Sequence, residues 1–482
     1  MIYVLPERSQ SALFRLLGNL KKSIISYFGQ GIRREVISIT WPAFIELVLS
    51  TLFGMVDMMM VGNLSSAAIA AVGLTTQPFL LLMSVFAAVN VGTTTLVAWN
   101  IGAGKVAKAS DVTRQIIVLN VFLGVIMSVA GIFLAPHIVT FMGANEDTLK
   151  DATIYFQIVS GGLLFQAMTM GVTAALRGAG QTRIPMYYNI GSNLLNVFGN
   201  YVLIYGKLGF PKYGVAGAAI STTFSRLVAC VAALYILYSG RTKIRINRMG
   251  RFRFDFNVIK KVMSIGIPSA LEQFVIHSGL MMFARTVSGL GTTHFAAHQI
   301  GLNISGLSFA PGMAFGVAST TLVGQSLGAN DRQRAKKCAN VVHHMALAVA
   351  VFVGLIFVLF SHPMARLYNK EVEVVALAGL VLKILALALP GQCTQLSLAG
   401  ALRGAGDTMY PLYASAFGIW GFRVVVAHVF VNIFQWGLVG AWVALVMDQT
   451  IRALIVYVRY RSDKWLDAKS RHTKEDAIKA EL

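Results

Sequence analysis

Ala175-Leu-Arg-Gly-Ala-Gly-Gln-Thr-Arg-Ile-Pro185 returns as Ala401-Leu-Arg-Gly-Ala-Gly-Asp-Thr-Met-Tyr-Pro411, a constant 226 residues later. The same offset carries Pro42 onto Pro268, Glu46 onto Glu272 and Ala70-Ala71 onto Ala296-Ala297. It also carries Thr94-Thr95-Leu96-Val97 onto Thr320-Thr321-Leu322-Val323, and Gly102-Ala103 onto Gly328-Ala329. A register kept without insertion over this distance marks an internal duplication, and each copy is one structural unit.

Outward from the repeat, composition decides the solvent. The 482 residues are 56% hydrophobic and 13% charged, with a mean hydropathy of +0.66. Soluble domains carry roughly 25% charged residues, so a disordered or disulfide-stapled secreted chain is excluded. At ~20 apolar residues per spanning helix, the length accommodates about a dozen spans. They are expected near 36–62, 68–99, 114–136, 151–176, 186–206, 213–238, 262–287, 295–326, 340–361, 372–402, 411–433 and 436–459. The expected fold is an all-α polytopic membrane protein. Its twelve transmembrane helices form two pseudo-symmetric, parallel six-helix bundles, because an even number of spans returns the chain to the same side.

The expected organisation is a cytoplasmic or interfacial amphipathic segment at 1–35, an N-lobe at 36–240 and a basic cytoplasmic linker at 241–261. A C-lobe at 262–459 and a cytoplasmic tail at 460–482 follow. Leu13, Leu16, Leu17, Leu20, Ile24 and Phe28 recur at helical spacing in the first segment. Ile2–Leu5 is too short for the apolar region of a secretory leader. The net charge of +21 comes from Lys and Arg gathered in alternate loops and at the two ends. That is the positive-inside pattern, not a nucleic-acid footprint, and it places both termini in the cytoplasm. Cys230, Cys338 and Cys393 have no metal spacing and imply no disulfide.

Intramembrane ionisable groups are the first functional candidates. Glu46 and Asp57 lie about 20° apart on one helix face, with Glu272 repeating Glu46, and with Asp448 and Arg423 in the second half. The other cationic residues in the span interiors are Arg226, Arg285, Lys383 and Arg452. Asn189, Asn193, Asn196 and Asn200 fall within about 60° on the fifth span. Their amide oxygens are hard ligands suited to Na⁺, or they bond helix to helix. The Arg177 and Arg403 motifs read as tight helix-to-helix turns. Met55, Met58, Met59 and Met60 are adaptable lining or lipid-facing. His343-His344 has no third metal ligand at plausible spacing. Gly104-Lys105 is followed by Val106 and preceded by Trp99 where a phosphate loop needs Ser/Thr and Gly. No catalytic residue, metal or cofactor is expected.

The duplicated Leu-Arg-Gly-Ala-Gly-x-Thr-x-x-Pro, Pro42 to Gly62 with Val56-Asp57, and Asn196 to Gly206 resemble the MATE (multidrug and toxic compound extrusion) family, in its NorM-like bacterial branch. The resemblance implies a secondary antiporter that exports organic cations in exchange for Na⁺ or H⁺, acting as a monomer in the bacterial inner membrane among lipids. It also implies an ion site around Asp57, Asn196, Asn200 and Thr222. Many relatives carry Asp where this chain has Asn200. Relatives with a C-lobe cation site carry carboxylates where this chain has Ile276 and Gln392, the latter repeating Gln166. Accessory roles are open to Glu46, Asn193, Gln166, Glu272, Gln392, Arg423 and Asp448. Arg423 at mid-depth is expected to pair with Glu272, Asp448 or both. The alternative function is a lipid-linked saccharide flippase of the same superfamily, against which stands the lack of an Arg cluster in the first two spans.

Overall fold

A computed structural model describes residues 31–246 and 252–470. The interfacial helix expected within 1–35 therefore lies, up to residue 30, outside the described residues, as do part of the basic linker and the end of the tail. The helices are α1 (Gly31–Gly62), α2 (Ser66–Gly102), α3 (Val106–Phe141), α4 (Glu146–Gly161), α5 (Leu163–Gly178), α6 (Arg183–Tyr205) and α7 (Gly214–Tyr238) in the first lobe. The second holds α8 (Phe256–Ser288), α9 (Thr292–Gly328), α10 (Arg332–Arg366), α11 (Val372–Ala405), α12 (Met409–Ile433) and α13 (Gly437–Arg461). The fourth span is not one rod: α4 and α5 meet at 45° across Gly162. With that pair counted once, the described residues form twelve rods.

Nine helices, or ten with the bent pair, are long and apolar enough to cross a membrane on their own. Polar side chains lower α6 (its four asparagines) and α8 (Glu272, Gln273 and His277) below that level; both are carried by their neighbours. The outward faces are apolar, with Phe133 76% and Leu359 71% exposed, as lipid contact demands. Helix ends follow local chemistry. Asp255 accepts from the Asn257 backbone and so starts α8 at Phe256, six residues before the apolar run that marked its expected beginning. The last glycines of the two repeated turns, Gly180 and Gly406, take φ of +77° and +88°. Only glycine does this without strain, which lets α5 and α11 stop before Thr182 and Thr408.

The two lobes meet at the end that carries Lys105, Lys108, Arg241 and Lys243, here called the basic end. The first helix of each lobe starts against the other lobe. Val36 and Ile39 of α1 belong to the second lobe's core, and Val262 and Ile265 of α8 to the first lobe's. Each pair is the repeat image of the other. Beside them the polar contacts are reciprocal. Thr95 Oγ1 donates to the Arg403 carbonyl (2.9 Å), and its counterpart Thr321 Oγ1 donates to the Arg177 carbonyl (2.9 Å). Trp99 Nε1 donates to the Gly404 carbonyl (2.8 Å), and Gln325 Nε2, at the matching position, donates to the Gly178 carbonyl (2.9 Å). The described start of the basic linker lies on the first lobe: Ile244 and Ile246 are buried in its core, and the Lys243 and Arg245 backbones donate to Gln181 and Ser110.

Where α2 crosses α8 the backbones touch. A Cβ on Gly266 would strike the Ala88 carbonyl, and one on Gly92 the Val262 carbonyl. Gly266→Val is therefore expected to cost about 1–3 kcal/mol or more by overpacking, read as a lower melting temperature in detergent. Gly73→Ala, with nothing within 4 Å of the added atom, supplies the control; equal melting temperatures for the two variants would contradict this packing.

Candidate functional site

A cavity of about 860 Å³ lies between the lobes. Thr94, Arg177, Thr320 and Arg403 form its floor at the basic end, and Asp57, Leu280 and Gly306 line it further out. Each repeated turn presents its Arg to this floor. Arg177 Nη2 reaches Glu46 Oε1 at 2.9 Å, and Asn189 Nδ2 donates to the same oxygen at 2.6 Å. Arg403 Nη2 reaches Glu272 Oε2 at 2.6 Å, and Ser415 Oγ donates to Glu272 Oε1 at 3.0 Å. The offset that relates the sequences relates these two triads residue for residue, with Ser415 in place of Asn189; both donors share one oxygen of Glu46 but take one each of Glu272. Both carboxylates are buried, at 5% and 1% exposure, and buried charges persist only when paired and hydrogen-bonded. The turns thus join the cavity wall, beyond the tight turning their glycines permit.

Further along α1 the lobes diverge. Asp57 accepts from Asn200 Nδ2 and has no ion pair among the described residues. Asn196 Nδ2 donates to Thr222 Oγ1 at 3.2 Å, and Asn193 Nδ2 reaches Ser50 at 3.3 Å. The four asparagines of α6 do share a face, which joins α6 to α1 and α7. At the matching places the second lobe has Phe283, Val426, Phe422 and Asp448. There Arg423 Nη2 sits 2.6 Å from Asp448 Oδ2, with the guanidinium 5.9 Å from the Phe283 ring centre. Of the two partners expected for Arg423, Asp448 is the one beside it. Glu272 is taken by Arg403, because the first lobe's Arg–Glu geometry repeats. Gln166 and Gln392 both line the cavity, and Gln392 Nε2 is buried without a partner.

Two features were not legible in the sequence. Residues 417–424 and 429–433 of α12 are π-helical, a wider winding that recurs at functional sites. It brings Gly418 against α13 so closely that a Cβ there would strike Arg452 Cγ, and would come within 2.6 Å of Asp448 Oδ1. The second feature is Arg226 and Arg452, which both line the cavity. Sequence reading counted them only as scattered cations, although the repeat offset maps one onto the other. His343 and His344 stay apart from any such site: His343 faces Ser397, and His344 faces the Asn340 carbonyl.

The MatE family pattern matches residues 42–202 and again 268–429, so the two matches start one repeat offset apart. A probable multidrug resistance protein NorM of Thermotoga maritima is 34% identical over 435 residues, covering 90% of this chain and 93% of that protein. The multidrug resistance protein PmpM of Pseudomonas aeruginosa is 27% identical, covering 93% and 96%. Among solved structures, the outward-facing conformation of a multidrug resistance MATE family transporter of the MOP superfamily superposes with a TM-score of 0.85. It is 22% identical and covers 92% of this chain and 97% of that one.

Asp448 and Arg423 are 0% and 5% exposed. Removing one partner strands the other, at a cost of about 3–5 kcal/mol. Asp448→Leu and Arg423→Leu should each lower the melting temperature more than the double variant does. Additive losses in that double-mutant cycle would show that the pair is not coupled.

Proposed function

The chain belongs to the MatE family, and from that premise we propose that it exports amphipathic organic compounds, foremost organic cations, in exchange for Na⁺ or H⁺. Its relatives are transporters and it is a multi-span membrane protein; the exchange chemistry is derived from the site. The observation that carries it is Asp57, a cavity-wall carboxylate with one amide donor and no ion pair among the described residues. A carboxylate at membrane depth favours its neutral or cation-bound form. Asn200 Oδ1 is buried without a partner, and Thr222 stands in the same wall. These oxygens are hard ligands for Na⁺, while the carboxylate alone suffices for H⁺.

A positively charged substrate and the coupling ion then compete for one negative charge. Competition of this kind, joined to a cavity that opens to one side at a time, produces exchange in place of leakage. With the basic end in the cytoplasm, by the positive-inside rule, the reciprocal contacts close the inner side. The cavity is then loaded from, or emptied to, the outside. Both termini lie inside and the membrane is the bacterial inner membrane. The protein contributes binding and conformational change without bond-making chemistry, and it needs no cofactor beyond the ion.

Substrate counterflow in proteoliposomes, under a Na⁺ gradient alone and a pH gradient alone, identifies the ion. Asp57→Asn is expected to abolish gradient-driven export while the protein still reaches the membrane and melts at an unchanged temperature. Full gradient-driven transport by that variant would refute the role of Asp57. Transport of cationic dyes by neither wild type nor variant, under either gradient, would refute the exporter reading itself.

A further inference from the structure

The ionised groups around the cavity do not cancel. Arg177 with Glu46, Arg403 with Glu272 and Arg423 with Asp448 are ion pairs within 2.9 Å. What remains is Asp57 against two guanidinium groups, those of Arg226 on α7 and Arg452 on α13. Neither makes an ion pair among the described residues. Each has a buried nitrogen without a hydrogen-bond partner, Nη1 in Arg226 and Nε in Arg452. The repeat offset relates them, so the last rod of each lobe offers one guanidinium to the shared cavity.

Their surroundings differ in a telling way. The guanidinium of Arg226 lies 4.8 Å from the ring centre of Phe79 and feels Asp57 beyond ion-pair distance. Arg452 is 6% exposed, donates from Nη2 to Ser415 Oγ at 2.9 Å, and reaches Glu272 only through that hydroxyl. Arg423 pairs with Asp448 Oδ2, and Arg452, one turn further along α13, lies in the field of that carboxylate without forming an ion pair of its own among the described residues. A guanidinium cannot shed its proton, and holding one at membrane depth without an ion pair of its own is costly. Its planar fork matches a carboxylate or phosphate. The missing partner is an oxyanion.

We propose that the substrates carry an anionic oxyanion group, a carboxylate or a phosphate, alongside their positive charge, and that this group docks at Arg452, with Arg226 across the cavity adding to its attraction. The inference rests on the cavity being the substrate chamber. Asp57 takes the positive end of such a molecule and Arg452 the negative end. When H⁺ or Na⁺ neutralises Asp57, the cavity's excess of positive charge grows by one. A substrate with only a positive charge then loses its single anchor. One with both charges keeps an anchor in the second lobe while its hold on the first is released.

The test uses a rhodamine with a free carboxyl and its methyl ester, which differ in this one charge. Binding to the purified full-length chain is read by fluorescence polarisation. The wild type is expected to bind the free acid at least about tenfold more tightly than the ester, and Arg452→Gln to bring that ratio to about one. Arg452→Lys, which keeps the charge but loses the fork, should give an intermediate ratio and guards against a folding defect in the first variant. Equal affinities in the wild type, or a ratio that neither variant changes, would overturn the proposal. Ester binding that is lost in Asp57→Asn, without preference for the acid, would overturn it while leaving the exporter reading intact. Binding of neither dye would remove both. Displacement of the acid by short-chain phosphatidic acid supports a lipid phosphate as the source. Displacement by a soluble aromatic carboxylate alone supports a soluble acid, and displacement by neither overturns the oxyanion site.

Discussion

The backbone carbonyls of Arg177 and Arg403 accept hydrogen bonds from the opposite lobe, while the side chains of the same two residues hold the cavity's deepest carboxylates. The carbonyl of Arg177 takes the Thr321 hydroxyl and its guanidinium takes Glu46; Arg403 does the same with Thr95 and Glu272. A helix turn that both closes the basic end and fixes the cavity floor cannot move for one purpose without the other. Parting the lobes here would release four side-chain hydrogen bonds to carbonyls, each worth about 0.5–1.5 kcal/mol net. That total is of the size a bound ion or substrate supplies, which suits a seal that has to open.

The duplication explains which parts stay alike and which drift. Each of the four side-chain hydrogen bonds of the seal has its image, and so does each Arg–Glu pair of the floor. Symmetry is useful there because two lobes that rock against each other need matching surfaces. Beyond the floor the copies specialise: the first lobe keeps a lone carboxylate among amides, and the second buries an Arg–Asp pair under a π-helical α12.

Much of this was legible in the sequence, for physical reasons. Apolar runs must be long enough to cross hydrocarbon, and the Leu-Arg-Gly-Ala-Gly turns recur because their glycines meet specific demands. Gly178 and Gly404 lie so close to the Thr94 and Thr320 carbonyls that a Cβ would come within 2.6 and 2.5 Å of them. Asp57 and the asparagine face followed from helical angles. The bend at Gly162 did not, since periodicity runs through it. The π-helical winding of α12 depends on how α13 packs, which no local pattern encodes. Depth alone leaves both Glu272 and Asp448 open to Arg423, whereas lateral position decides pairing and gives Glu272 to Arg403. Arg226 and Arg452 are repeat images as well, but neither lies in a repeated motif that would mark the pair.

The central claim is that the reciprocal threonine contacts hold the basic end shut. Spin labels at Ala107 and Gln333, exposed repeat images near that end, report its closure in lipid nanodiscs. Labels at Phe141 and Leu367, images at the opposite end with 89% and 85% exposure, report the other side. The wild type should show a single short distance between the first pair. Thr95→Val combined with Thr321→Val should add a longer distance there and a shorter one between the second pair. Identical distance distributions for the wild type and the double variant would contradict the account.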